Sequence, residues 1–511
     1  MKREIIADVN PHEARVALLE DGQLVEIQVE MRGQERLVGN IYKGRVANVL
    51  PGMQAAFVDI GLDKNAFLYA GDIMVNEADF EFQGSQSRPN LKEQTPNIAR
   101  LLKKGQEILV QVVKQQGGTK GARITTHVTL PSRRIVLMPT VEHVGVSRRI
   151  TDEAERERLK EIFTRIKPEG MGVIVRTAAE GGTEEEFVSE MRFLARLWEK
   201  VQSKADFLSA PRLIHAEDTL LFRTVRDMLD ETVERFVIND KDYFEKVVAV
   251  AGITTPGLQN KVQLFESREN IFDYFNIEPK IEKAMQRRVW LKSGSYLVID
   301  ETEALTVIDV NTGKYIGEDN LQDTITKTNV EAAEEIARQL RLRDIGGIIV
   351  IDFIDMEIAA NKSKVIEALE NELKKDRTKT NVLGITELGL VEMTRKKVRR
   401  RLSTLLQSTC PECGGRGKVF SEQAMAMRVR REVNRVALRS DVQHFLVEVA
   451  PNVAKYIIEK NNNNEAILEH YENKTFYLTE NRHANVQDIK VTPLIHGAKR
   501  EKIVRETQIF C

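Results

Sequence analysis

Two aspartates interrupt otherwise unbroken runs of strand-forming residues. One is Asp309 in LTVIDVNTGK (residues 305–314), and the other is Asp352 in IIVIDFIDM. Asp is a poor strand residue, so a chain that twice sets it inside an Ile/Val run has a use for it there. Asn311 lies two residues past Asp309 and so faces the same side of its strand. Two carboxylates and a carboxamide at neighbouring strand ends make a hard-oxygen site. It suits magnesium or manganese, which take one or two carboxylates, retained waters and phosphate oxygens. Such an ion activates water against a phosphodiester or polarises the phosphoryl group. Asn311 would orient the water or hold a phosphate oxygen, with Asp355 as an outer partner. The plainer alternative is helix capping or a surface turn.

A second chemistry sits in TCPECGGRGK (residues 409–418). C-x-x-C spacing, with Pro between and Gly after, lets Cys410 and Cys413 face one zinc ion. A structural zinc takes four ligands. The chain has only three cysteines, the third being Cys511, and no histidine pair is spaced to help. Two chains, each lending Cys410 and Cys413 to one tetrahedral site, would satisfy the count. A redox C-x-x-C, here without its usual strand–helix setting, and two idle thiols are the alternatives. So few cysteines exclude a disulfide scaffold.

These residues need elements to hold them. EALTVIDV reads as a strand. NVEAAEEIARQLRLRD reads as a helix with Ala333, Ile336, Ala337 and Leu340 on one face, stopped by Gly346-Gly347. IIVIDFIDM is a second strand, apolar on both faces, and KSKVIEALENELKKD a second helix. Strand–helix–strand–helix with continuous apolar strands points to parallel pairing in an α/β layer. Ligands bind such sheets outside the carboxyl ends of the strands, which is where Asp309 and Asp352 would converge.

Residues 1–36 read as a hairpin around Asp21-Gly22. From Gly39, short strands with Gly and Pro-Gly corners suggest a small barrel such as an OB-fold. Phe57 and Phe67 stand in successive strands, with Tyr42, Lys43, Arg45 and Lys114 nearby. Aromatics beside basic residues stack single-stranded bases on such barrels; two core phenylalanines are the alternative. Residues 78–100, rich in Asn, Gln, Ser and Pro, read as a loop inserted in the barrel. Between about 122 and 220, strands alternate with amphipathic helices. There Arg176-Thr177 ends a strand, either as a phosphate receptor or as an ordinary strand exit. Residues 221–285 mix helix and strand without a catalytic constellation. Residues 420–511 form a mixed α/β tail, with a loop expected in EKNNNNEAILEH.

The bulk numbers set limits. The net charge of −1 excludes a polycation, although RKKVRRR (395–401) and RVRREVNRVALR (428–439) are locally basic. Such runs bind phosphate or are solvated helix faces. No apolar run is long enough to cross a bilayer. The N-terminal MKREIIADVN carries charge where a signal peptide has its apolar core, so a cytoplasmic location is expected.

In GNIYKGRVANVLPGMQAAFVDIGLDKNAFL, RRITDEAERERLKEIFTRIKPEGMGVIVRTA, EALTVIDVNTGKY, EEIARQLRLRDIGGIIVIDFIDM and CPECGGRG, the chain resembles the bacterial ribonuclease E/G family over nearly its whole length. It ends soon after the catalytic half, which favours the shorter G type over the E type. The resemblance implies a multidomain α/β and α+β fold. Its parts would be a ribonuclease-H-like domain split between 1–36 and 222–285, an OB-fold barrel at 37–121 inserted into it, and a 5′-phosphate sensor region at 122–221. A deoxyribonuclease-I-like catalytic α/β domain at 286–406, a zinc link at 407–419 and a small α/β domain at 420–511 would follow. It implies a magnesium-dependent endoribonuclease that cuts single-stranded RNA, prefers a 5′ monophosphate, and serves ribosomal RNA 5′-end maturation and messenger RNA decay. Asp309 and Asp352 would hold the magnesium and Asn311 would assist at the scissile phosphate. Phe57, Phe67 and Lys114 would contact RNA. Gly121, Arg176, Thr177 and Lys379 would receive the 5′ phosphate. A Lys at 379, where the family has Arg, offers a point charge in place of a bidentate fork. Cys410 and Cys413 would share zinc across a homodimer or a higher oligomer. The competing function is a non-catalytic RNA-binding or ribosome-associated protein.

Overall fold

The computed structural model describes residues 2–33, 36–73, 97–115, 121–255, 257–313, 321–462, 467, 473–494 and 508–510. The chain divides into two compact units, 1–405 and 406–511.

In the first unit, the expected hairpin pairs Glu13–Glu20 with Gln23–Met31. Asp21 (φ 48°) and Gly22 (φ 75°) make its turn, the two-residue geometry that fits strand twist. Sequence pattern missed a third strand, Arg3–Val9, which pairs antiparallel with Glu13–Glu20 and parallel with Val233–Ile238. With Val262–Leu264 at its edge this is a five-stranded sheet assembled from segments more than 200 residues apart.

Inserted between those segments is a closed five-stranded barrel of the OB type. Its strands are Ile41–Leu50, Ala55–Asp59, Ala66–Tyr69, Glu107–Lys114 and Arg123–Thr125. Ile41–Leu50 pairs with both Ala55–Asp59 and Glu107–Lys114, which closes the barrel. The loop expected at 78–100 falls outside the described residues up to 96, and Ile98–Leu101 is a short helix. A four-stranded sheet follows, packed against helices Glu153–Ile166 and Glu184–Phe207.

The sheet that carries Asp309 and Asp352 has six strands: β1 (Arg288–Trp290), β2 (Tyr296–Glu301), β3 (Leu305–Asn311), β4 (Gly347–Asp352), β5 (Thr380–Ile385) and β6 (Val391–Arg395). Their order is β1-β2-β3-β4-β6-β5. Helix α1 (Leu321–Leu342) joins β3 to β4, and α2 (Ala359–Leu373) joins β4 to β5. The parallel pairing expected for β3 and β4 is present, but every other pair in the sheet is antiparallel. Alternate residues Ile308, Val310, Ile349 and Ile351 enter one core with Ala333, Ile336, Ala337 and Leu340 of α1 and Val365 and Leu369 of α2. The other face is uncovered enough that Ile348 is 53% exposed. The expectation of a strand buried on both faces is therefore corrected. Antiparallel pairing, which dominates this sheet, lets one face remain in solvent.

The second unit has helix Glu422–Arg439 and helix Pro451–Asn462 against a sheet of His444–Val449, Thr475–Glu480, Ile489–Pro493 and Gln508–Phe510. The second helix runs into the stretch expected as loop, whose remainder lies mostly outside the described residues. The basic run 428–439 is one side of the first helix, whose Val429, Val433 and Ala437 are buried.

Candidate active site on the open face of the mixed sheet

Asp309 and Asp352 are direct neighbours in register across the parallel β3–β4 pair. Both point to the uncovered face, since Ile308, Val310 and Ile351 beside them are buried. The carboxylates therefore sit on the face of the sheet, with Asp309 two residues before the end of its strand, instead of beyond the strand ends. Asn311 donates from Nδ2 to Asp309 Oδ2 at 2.8 Å, as strand parity requires. Beyond it the chain turns at Gly313 (φ 60°), where a Cβ would come 2.4 Å from Gly294 O. Only glycine fits that turn, so it fixes where β3 stops.

Asp352 ends β4, and the loop after it is held from α1. Asn329, fully buried, donates to Ile354 O at 2.8 Å and accepts from Ile354 N at 3.1 Å. Sequence reasoning missed Asn329; its signal was a buried-phase Asn in an otherwise apolar helix stripe. Burial, then the Asp309 carboxylate, then that of Asp355 push the Asp352 carboxyl above its ordinary range. Like charges packed side by side disfavour ionisation, and a divalent cation between them would relieve that. Among the described residues no group of three or more His, Cys, Asp or Glu could hold a metal. A two-carboxylate set that leaves room for water and phosphate is nonetheless how magnesium is held, so the donors present fit that ion.

The basic residues expected to steer a polyanion beside this sheet are partly committed elsewhere. Arg395 is buried between Asp376 (2.7 Å) and Asp344 (2.8 Å). Arg399 pairs with Glu26 and Arg401 with Glu301. Lys396, Lys397 and Arg400 are exposed.

On the barrel, Phe57 and Phe67 are opposite each other in register, with ring centroids 6.0 Å apart and an edge-to-face tilt of 69°. Their neighbours Ala56, Val58, Ala66 and Leu68 fill the core, so both rings lie on the outside. Phe67 is in register with Arg123, and Arg123 with Lys114. A row Phe57–Phe67–Arg123–Lys114 thus crosses three neighbouring strands of the barrel onto a fourth. Arg123, which the sequence reading passed over, also holds Asp72. The other nearby residues have different places. Tyr42 is in the barrel core, while Lys43 and Arg45 pair with Glu107.

Arg176 follows strand Gly172–Val175 and donates to Ser132 O at 2.6 Å and Asp227 Oδ1 at 2.9 Å; Thr177 is exposed. The backbone carbonyl of Asp227 accepts from Arg377, two residues before Lys379. Arg149, which donates to Arg377 O, lines a cleft of about 530 Å³ with Lys374, Thr378 and Lys379. Arg176 and the segment carrying Lys379 are therefore joined through Asp227. Gly121 lies in the barrel, where a Cβ would come 2.0 Å from Asn65 O; that close approach alone demands glycine.

In the second unit, Cys410 is exposed and Cys413 buried, in the turns before helix Glu422–Arg439. The Gly417 N–H, then the Cys410 thiol and the N–H groups of Gly415 and Arg416, hold the Cys413 thiol below its ordinary value. Backbone amides aimed at sulfur favour the thiolate that zinc needs, so the pair fits half of a zinc site. Cys511, the other candidate ligand, lies outside the described residues.

The family model described as Ribonuclease E/G family matches residues 129–398, more than half the chain. A second, described as RNase E/G, Thioredoxin-like domain, matches 409–494. The chain is 45% identical over 455 residues to Ribonuclease G of Escherichia coli strain K12, covering 89% of this chain and 92% of that protein. It is 45% identical over 457 residues to Ribonuclease G of Haemophilus influenzae. Against Ribonuclease E of Haemophilus influenzae it is 36% identical over 464 residues, 90% of this chain but 48% of that longer protein. The carboxylate-bearing sheet lies inside the first match and the cysteine pair inside the second, and the chain belongs to the ribonuclease E/G family.

Proposed function

We propose that the Asp309–Asp352 pair cleaves single-stranded RNA with the help of magnesium. That the chain is an endoribonuclease follows from its 45% identity to Ribonuclease G along most of its length. The observation that carries the finer reading is the in-register carboxylate pair, with Asn311 hydrogen-bonded to it, on an open sheet face. Asp309 and Asp352 would hold the ion, which when bound lowers the pKa of water and polarises the phosphoryl oxygens. Asn311, by donating Nδ2 to Asp309, leaves Oδ1 to accept from an attacking water and aim it at phosphorus. Asp355 stays an outer partner that adds negative charge. The outward row of half-buried Phe57 and Phe67 with exposed Arg123 and Lys114 stacks bases and contacts phosphates of the incoming strand.

Arg176, Thr177, Lys379 and Gly121 form the proposed receptor for a 5′ monophosphate. Arg176 would share its fork between Asp227 and the phosphate, so binding there is weaker than to an uncommitted arginine. Cys410 and Cys413 hold half of a zinc site completed by a second chain, which makes the working species a homodimer or a multiple of it. Precursor ribosomal RNA 5′ ends and messenger RNA in the cytoplasm are the proposed substrates. No helix among the described residues is long and apolar enough to cross a membrane.

The test is cleavage of a short 5′-monophosphorylated single-stranded RNA in magnesium. The double variant Asp309→Asn, Asp352→Asn should lose about 10²-fold or more in kcat, given the several kcal/mol a Lewis acid supplies, while still binding RNA. Undiminished cleavage by the double variant would remove the proposed site.

A further inference from the structure

Beside the carboxylates, on the same open face, stands an aromatic group that the reading above does not use. In β1 and β2, Trp290 is in register with Tyr296 and Arg288 with Val298. In β2 and β3, Tyr296 is in register with Asn311 and Val298 with Asp309. The open face thus carries two parallel rows. One runs Arg288–Val298–Asp309–Asp352, and the other runs Trp290–Tyr296–Asn311. The rings of Trp290 and Tyr296 are 5.2 Å apart at 58°. The Arg288 guanidinium lies 4.5 Å from the Tyr296 ring centroid and 5.8 Å from that of Trp290. Trp290 is 58% exposed, although burying a tryptophan is strongly favourable. Leu297 and Ile299, the alternate residues of β2, fill the core, so Tyr296 shares the solvent face.

We propose that Trp290, Tyr296 and Arg288 form a stacking subsite for the nucleobase next to the scissile phosphate. This deepens the proposed carboxylate site and rests on it. The occupant follows from reach and chemistry. Strand spacing and rise put Tyr296 roughly 8 Å from Asp309, a step from a backbone phosphate to a neighbouring base. The face offers a π surface with a cation over it. Any base stacks on such a surface, which suits a cut set by strand geometry more than by sequence. The Arg288 guanidinium, on the same face, meets the polyanion as it enters. A protein partner would want a broad apolar patch, whereas here the aromatic pair is bordered by Asn311, Asp309 and Arg288.

The test uses the full-length protein and a short 5′-monophosphorylated RNA with one abasic site stepped through the positions flanking the cut. In the parent, one position should raise KM by about 5- to 100-fold and leave kcat within about twofold. Trp290→Ala should raise KM of the intact RNA by a similar factor, and the abasic penalty should then disappear. Trp290→Phe should keep most of the affinity, which a merely structural role for the side chain would not single out. A second readout comes from the chain's two tryptophans. Trp198 is buried in another part of the fold, so quenching on adding a 2′-O-methyl oligoribonucleotide reports Trp290. Quenching in the parent that vanishes in Trp290→Ala supports the subsite. If cleavage needs Asp309 but the abasic penalty is the same in parent and Trp290→Ala, the subsite is overturned and the carboxylate reading stands. If cleavage is indifferent to Asp309, the carboxylate reading itself falls, and the subsite with it.

Discussion

Two aspartates inside apolar strands were the loudest signal in the sequence, because a carboxylate there must be tolerated for a reason. Parity put Asn311 with Asp309, and the register put Asp352 directly beside them. The outward placement of Phe57 and Phe67 was left open, because their strand neighbours Ala56, Val58, Ala66 and Leu68 are apolar as well and only the fold shows that those four fill the barrel core. Arg123, Trp290 and Tyr296 were not legible. Each gains its meaning from a cross-strand neighbour that no local pattern names. The crowding of carboxylates has a thermodynamic consequence. The Asp352 carboxyl is raised above 3.8 by burial and by Asp309 and Asp355. The native state then binds its proton more readily than the unfolded chain, so stability falls as pH rises through that window. Asp352→Asn should therefore raise the thermal midpoint at pH 7 without divalent cations, and the gain should close as pH falls toward 3.8. Thermal melts with and without magnesium check this. A lower midpoint for the variant at pH 7 without metal would show that the pair is not repulsive.

Among elements, helix Glu153–Ile166 coincides with the amphipathic stretch EAERERLKEIFTRI, and the Asp152 side chain caps it by accepting from Ala154 N–H. Helix α1 did not follow so closely. It starts at Leu321, well before the stretch read as periodic. The turns that precede Asn329 carry three threonines, Thr324, Thr326 and Thr328, whose β-branched side chains weaken the helical signature. Those earlier turns set the phase in which Asn329 grips the chain after Asp352. The sheet's open face was hidden from sequence for a related reason: Ile348 and Val350 are apolar, so β4 looks like a strand buried on both sides. Asn329→Leu should leave the Ile354 N–H and C=O without their partner, at about 1–3 kcal/mol for each buried group. It should also lower kcat by about 10- to 100-fold, the usual cost of losing an outer support. Melts and initial rates measure both. Unchanged kcat with lost stability would make Asn329 a packing residue only.

At the scale of the whole molecule, no local pattern could show that Arg3–Val9 pairs with Val233–Ile238. That union encloses the barrel as an insertion and depends on contacts more than 200 residues apart in sequence. The family resemblance implied such a split, whereas propensity and periodicity did not. The second unit poses a question of assembly. If Cys410 and Cys413 are half a zinc site, the parent should contain about 0.5 zinc per chain, from four ligands per ion. Cys410→Ser should then be zinc-free and monomeric in analytical ultracentrifugation. A stable zinc-free dimer would place the subunit contact elsewhere.

Whether Asp309 holds the proposed magnesium is decided by metal preference. Asp309→Cys replaces a hard oxygen ligand with a thiolate, which softer ions accept and magnesium does not. On single-stranded RNA the variant should be nearly inactive in magnesium and should recover cleavage in manganese, while the parent works in both. A variant equally active in magnesium, or one that manganese does not restore although its fold and RNA binding are intact, would show that Asp309 is not a metal ligand.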